Sequence, residues 1–332
     1  MAKNETWDWL LEGFKFDLET QVKPKTVDYY YQNTRRFARW ANNTAQIGNP
    51  QLITKRHIQT FLHDLLNNTS NVTVGNGAIK NIQRSERTRW PYYRALRRFF
   101  SWAVEQGYME DNPMDGIVLR APKDAPIEPY RCEHIEKMLA VLDHDWKTAV
   151  TERQKMLAAR DKAMMLLFLE SGLRLAELTN LRIDDIDLSR QRLIVREGKM
   201  GKGRLAGFGP QTKKALWRYI GSRPVEVQND ALWLTEEGLR LKSVGVQAAI
   251  RRLNKEAGLQ NMRGSVHKLR HTFGTTFLRE VHDMKALRLL LGHSTLAMTE
   301  RYTAFVEVED ALQSYDGKGP LDWIRDEKNN RN

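Results

Sequence analysis

Residues 263–305 read RGSVHKLRHTFGTTFLREVHDMKALRLLLGHSTLAMTERYTAF. His267 and Arg270 are three positions apart, which on a helix stacks them on one face. The apolar run Leu289, Leu290 and Leu291 meets Gly292, a residue suited to stopping a helix, and His293 follows at once. Ser294 or Thr295 is placed to cap a further short helix that carries Tyr302. An arginine is always charged and offers a planar fork of donors matched to phosphate oxygens, and imidazoles donate to the same oxygens or shuttle protons near neutrality. A tyrosine hydroxyl becomes a nucleophile when a base or a cationic field helps it lose its proton. The set is suited to holding and attacking a phosphodiester. Taken singly, each residue reads as a basic surface position, a core histidine or a buried tyrosine; the combination points to the site.

The order HKLRH, LGHS and then Tyr302, nine positions after His293, resembles the second half of the signature of the tyrosine recombinase family, the phage integrase and Xer-type enzymes. SGLRLAELTNLRIDDID, residues 171–187, is similar to the family's first arginine box, which puts Arg174 in the catalytic set and Glu177 in a supporting place. The family's lysine sits in a strand-turn-strand hairpin, and LIVREGKMGKGRLAGF fits it, with Lys199 the better match and Lys202 the second. Met200 and AGF depart from the family's usual glycine and VPL there.

The resemblance implies the following chemistry. Tyr302 attacks the phosphate to give a 3′-phosphotyrosyl link, and Arg174, Arg270 and His293 stabilise the phosphate charge. His267 exchanges the tyrosine proton, and Lys199 protonates the leaving oxygen. No metal, ATP or other cofactor is needed. The partner is double-stranded DNA, with four protomers on two recombination sites and a monomer or weak oligomer without DNA. Relaxation of a single duplex by type IB topoisomerase chemistry is the nearest alternative, and a non-catalytic DNA-binding accessory protein of the same fold is another. A zinc enzyme is disfavoured: His267 and His271 have the i, i+4 spacing of ligands, but there is no HExxH and Arg270 between them repels a cation.

Length and charge agree with two domains on a polyanion. The chain has 332 residues, 41% hydrophobic, and a net charge of +12. No apolar run approaches the roughly 20 residues that cross a bilayer, and no membrane partner is expected. The N-terminus lacks the order of a signal peptide, and a single cysteine, Cys132, agrees with a reducing compartment, so a cytoplasmic location is expected.

The expected fold is mostly α with a small β-sheet. Residues 1–120 read as an all-helical core-binding domain, 121–129 as a Pro-rich linker, and 130–332 as an α+β catalytic domain with a C-terminal helix and tail. In the first domain, Trp7, Leu10, Leu11, Phe14 and Leu18 recur at helical spacing until Pro24, and Thr26 is expected to cap the next helix. The stretch from Asn67 to Gly77 has no periodicity and is expected to be a loop. A helix from about Thr88 to Gly107 buries Leu96, Phe99, Phe100, Trp102 and Ala103. That pattern, with the closing Asn112-Pro113, looks like the family's DNA-embracing core-binding domain. It nominates Lys25, Arg35, Arg36, Arg39, Arg87, Arg89, Arg94, Arg97 and Arg98 as DNA contacts, with Lys202 from the hairpin. In the second domain, 193–196 and 205–208 are expected to pair, with Asp184 to Asp187 as a turn. A helix at 306–314 is expected to contribute to assembly on DNA. Neither an arm-binding domain before the first helix nor an integron-type insertion between Lys199 and His267 is expected, which leaves a simple Xer-like, phage-like or transposon-borne recombinase.

Overall fold

The computed structural model describes residues 6–67, 70–73, 79–82, 86–122, 127–196, 203–224, 229–259, 266–293, 295, 298–300 and 302. The chain divides into two compact units, Met1–Asp124 and Ala125–Asn332.

The first unit contains α1 (Trp7–Gln21), α2 (Pro24–Asn43), α3 (Lys55–Asn67), strands β1 (Ser70–Thr73) and β2 (Ile79–Ile82), and α4 (Arg89–Glu105). Thr6 caps α1 by accepting from the Trp9 amide at 3.4 Å. Pro24 opens α2 at its first position, where a missing N–H costs nothing, so Lys23 is the N-cap and Thr26 lies inside the helix. The stretch expected to be a loop, 67–77, contains β1, which pairs antiparallel with β2 just beyond it, Ser70 with Ile82 and Thr73 with Ile79, so the unit is not all helix. The sequence between these strands holds Asn76-Gly77, a dipeptide that favours hairpin turns, flanked by β-branched residues.

Aromatic rings fill this unit's core. Trp7, Phe14, Phe37, Phe99 and Phe100 are fully buried. Phe99 meets Phe14 edge-on at 5.3 Å, Phe100 at 5.1 Å, and lies nearly parallel to Trp7 at 6.2 Å. Such pairs add about 0.5–1.5 kcal/mol each beyond the area they bury.

The second unit runs α5 (Cys132–Thr148), α6 (Glu152–Ser171), α7 (Leu175–Asn180), β3 (Ile186–Asp187), β4 (Arg192–Val195), β5 (Arg204–Gly207), α8 (Pro210–Gly221), α9 (Ser243–Glu256), α10 (Val266–Val281) and α11 (Met284–Leu291). The apolar residues of α6 cover every side of the helix, and α5, α8 and α10 surround it. A capping box opens it: Thr151 Oγ1 accepts from the Gln154 amide at 3.1 Å and Gln154 Oε1 accepts from the Thr151 amide at 3.1 Å. It ends at Gly172 with φ +57°, and a Cβ there would run into Phe273 and Leu291. The close of α6 is thereby pressed against α10 and α11.

The sheet is antiparallel in the order β3-β4-β5, with Leu193 opposite Ala206 and Val195 opposite Arg204. Leu193 and Val195 point into the core while Arg192 and Ile194 face out, the alternation a half-buried strand requires. Residues expected to form a simple turn, 184–187, complete a short 3₁₀ turn and then supply β3, a third strand on this hairpin. No described helix is long and apolar enough to cross a membrane.

Candidate active site

The C-terminus of α11 is the geometric centre of the site. Asp283 caps the start of the helix through the Ala286 amide at 2.9 Å, and Gly292 ends it in the left-handed region at φ +62°. The last carbonyls of a helix have no intrahelical donor and carry the negative end of its dipole. Here three successive carbonyls each receive one arginine. Arg204 Nε donates to Leu290 O at 2.8 Å, Arg270 Nη2 to Leu291 O at 2.8 Å, and Arg174 Nη2 to Gly292 O at 3.0 Å. The three come from β5, α10 and the N-cap of α7, so four separate segments are tied at one point.

Glu177 joins the same three guanidiniums. Its Oε2 accepts from the Arg174 amide at 2.7 Å and its Oε1 from Arg174 Nη1 at 2.7 Å, which also closes the capping box of α7. Arg204 approaches with its fork, Nη1 to Oε1 at 2.9 Å and Nη2 to Oε2 at 2.8 Å. Arg270 Nη1 lies 3.9 Å from Oε2. Burial pushes the Glu177 carboxyl upward, but the Arg204 and Arg174 hydrogen bonds and the Arg204 charge outweigh it and hold the group at about 2. Three guanidiniums less one carboxylate leave a surplus of two positive charges. Burial, with the neighbouring charge of Arg174, pulls Arg270 down to about 10, so it stays charged at neutral pH.

Arg270 is committed on both nitrogens: Nη1 donates to Gly172 O, and Nη2 also contacts His293 Nε2 at 3.0 Å. A guanidinium can only donate, so Nε2 accepts and the imidazole proton sits on Nδ1, toward Thr299 Oγ1 at 3.0 Å. Arg174 is more open, with a side chain one-quarter exposed and two of its five N–H donors used in these contacts.

Tyr302 is 5% exposed. Its ring lies parallel to His293 at 6.1 Å and tilted against His271 at 4.9 Å. Gly274 of α10 makes room for it, since a Cβ there would sit 2.7 Å from Cε1 and 2.9 Å from Cδ1 of the tyrosine. The structure thus brings together Arg174, Glu177, Arg270, His293 and Tyr302. His267 is exposed one turn before Arg270, and the imidazole in contact with the Tyr302 ring is that of His271. Lys199 and Lys202 lie outside the described residues, as do 306–314.

Three participants escape a reading of the sequence. Arg204 looks like one more basic residue beside a Gly-rich turn, His271 like a core histidine, and Gly274 like an ordinary small residue in a helix. Two of them carried a signal: His271 closes the HKLRH motif, and Gly274 is a glycine inside a helix, which costs about 1 kcal/mol against alanine and so has a packing reason.

In the first unit, Lys25, Arg36, Arg39, Arg87, Arg94, Arg97 and Arg98 are exposed, and Arg35 and Arg89 half-buried. Arg36 Nη1 donates to the Tyr92 hydroxyl at 3.0 Å, joining α2 to α4; Arg89 pairs with Glu86, and Arg98 donates to Gln21.

Residues 133–307 match the phage integrase family and residues 10–82 the phage integrase N-terminal SAM-like domain. The chain is 34% identical to the tyrosine recombinase XerC of Alcanivorax borkumensis over 78% of its own length and 80% of that protein. It is 36% identical to XerC of Haemophilus ducreyi over 68% of its length and 70% of that protein. Its fold matches the XerH site-specific recombinase, solved bound to palindromic difH substrate in a post-cleavage complex, with a TM-score of 0.70, 20% identity and coverage of 93% of this chain and 84% of that one. A family match across more than half of the sequence, together with a relative this similar over four-fifths of its length, shows that the chain belongs to the phage integrase family: it is a tyrosine recombinase, a site-specific DNA strand transferase.

Proposed function

We propose that Tyr302 is the nucleophile and that it holds one DNA strand as a 3′-phosphotyrosyl ester until a second strand's 5′ hydroxyl attacks it. The tyrosine oxygen–phosphorus bond forms as the bond from phosphorus to the 5′ oxygen breaks. The phenolic proton leaves to a base, and the departing oxygen gains one from an acid. The observation that supports this reading best is the surplus of positive charge at Arg174, Arg204 and Arg270, linked through His293 to the Tyr302 ring.

Arg174 has free donors for the non-bridging oxygens, while Arg270 and His293, already hydrogen-bonded, act as fixed charge and scaffold in a water-poor site. Glu177 holds the guanidiniums in place. His267 exchanges the tyrosine proton, and Lys199 rather than Lys202 protonates the leaving oxygen. Tyr302 is 5% exposed, so DNA binding has to uncover it before attack. Residues 1–120 form the DNA-holding half, with Lys25, Arg35, Arg36, Arg39, Arg87, Arg89, Arg94, Arg97 and Arg98 toward the phosphate backbone. Four protomers on two sites act in pairs.

Tyr302→Phe tests the reading. The variant is expected to bind duplex DNA as the wild type does and to form no covalent adduct on denaturing gels. Wild-type levels of adduct would transfer the role to another residue, Tyr315 being the next examined.

A further inference from the structure

We propose that Arg204 is a positioning residue that keeps Arg174 available to the scissile phosphate. This rests on the reading of Arg174 given above. Arg204 meets Glu177 with both nitrogens of its fork, at 2.9 and 2.8 Å, and its side chain is 11% exposed. Bidentate contacts of this kind fix geometry as well as charge. Its third donor, Nε, holds the Leu290 carbonyl, two residues before the carbonyl that Arg174 uses. Its stem lies over Gly292, where a Cβ would come within 3.0 Å of Cδ and 3.3 Å of Nε.

Removing Arg204 changes the site in two ways. Among the described residues, Arg174 would become the one guanidinium hydrogen-bonded to Glu177, since Arg270 stands at 3.9 Å, and the carboxylate would cancel Arg174's charge instead of being shared. The Leu290 carbonyl would also lose its donor, loosening the α11 end against which Arg174 is placed. Both changes act on the phosphate through Arg174, and neither concerns the proton of the leaving group. Arg204 is also the first residue of β5, opposite Val195, so the competing role is merely to fasten the hairpin.

A methylphosphonate at the scissile position separates these roles. It replaces one charged non-bridging oxygen by methyl, so the phosphate group is neutral and the demand for a cation beside it falls. On ordinary DNA that the wild type cleaves, Arg174→Ala and Arg204→Ala are each expected to react about 100-fold slower, the cost of losing one preorganised donor. On the methylphosphonate both are expected to recover to within about tenfold of the wild type, because that donor's charge is no longer required. Arg204→Lys keeps a charge but not the fork; it is expected to fall by about tenfold on ordinary DNA and to recover in the same way. It is the variant to follow if thermal unfolding shows that Arg204→Ala is not folded. Recovery of Arg174→Ala without recovery of the Arg204 variants would overturn the proposal, and so would Arg204 variants that cleave ordinary DNA at the wild-type rate. Failure of Arg174→Ala itself to recover would remove the phosphate-stabilising reading of Arg174 and this proposal with it.

Discussion

The core of the first unit and the site of the second are both densely packed, and they are built from opposite materials. Around Phe99 the contacts are ring on ring, apolar and forgiving in direction, while most arginines of α2 and α4 are exposed. Around Glu177 the contacts are ionic hydrogen bonds, buried and exact in direction, with three cations held inward. Burying charge is unfavourable unless each group is paired, so the second arrangement is kept for what it does rather than for stability. The first unit uses charge as a coating that can be thinned one residue at a time. The second uses it as framework.

The largest effect expected from breaking this contrast is on folding. Phe99→Ala should lower the stability of the first unit by about 3–5 kcal/mol, the usual cost of emptying a buried aromatic site. Urea unfolding followed by tryptophan fluorescence would show it, since Trp7 and Trp102 both contact Phe99.

Glu177→Gln should cost the second unit on the order of 3 kcal/mol at neutral pH, with a pH signature that no apolar substitution shares. The folded carboxyl is held at about 2 against an ordinary 4.5, so its ionised form stabilises the fold. That contribution is complete above about pH 4.5 and fades as pH falls toward 2. The stability gap between wild type and variant should therefore close over that window. A constant gap would mean that shape, not charge, is what Glu177 supplies.

Gly274→Ala is expected to cost about 1–3 kcal/mol, as overpacking does. The added methyl competes with the Tyr302 ring for one space. Iodination or nitration of Tyr302, read by mass spectrometry, should proceed faster in the variant without DNA, and equal rates would show that the ring does not depend on this glycine.

Arg97→Ala should be smallest for folding, within about 0.5 kcal/mol, as exposed substitutions usually are. DNA affinity should fall, and the slope of log affinity against log salt should flatten by about 1, as when one phosphate contact is lost. An unchanged slope would remove Arg97 from the DNA-facing surface.

What could be read in advance follows the same division. Trp7, Leu10, Leu11, Phe14 and Leu18 announced α1 because a helix facing one core repeats every 3.6 residues, and all five are buried. Leu96, Phe99, Phe100, Trp102 and Ala103 did the same for α4. The β1–β2 ladder was missed because four-residue strands hold too few positions for a period to show, and Pro24 misled because a proline closes one helix and opens another equally well.

The sequence by itself determined the family, and it nominated Arg174, Lys199, His267, Arg270, His293 and Tyr302, with Glu177 in support, as one constellation, because motif spacing is local and helical periodicity is a property of the chain. Tertiary structure alone decided that Arg204 shares Glu177, that His271 and Gly274 border Tyr302, and that three arginines divide three carbonyls of α11. Those partners are 21 to 118 residues apart along the chain. A hydrogen bond depends on where two atoms meet in space, and nothing in the spacing of a sequence records which distant arginine will arrive at which carbonyl.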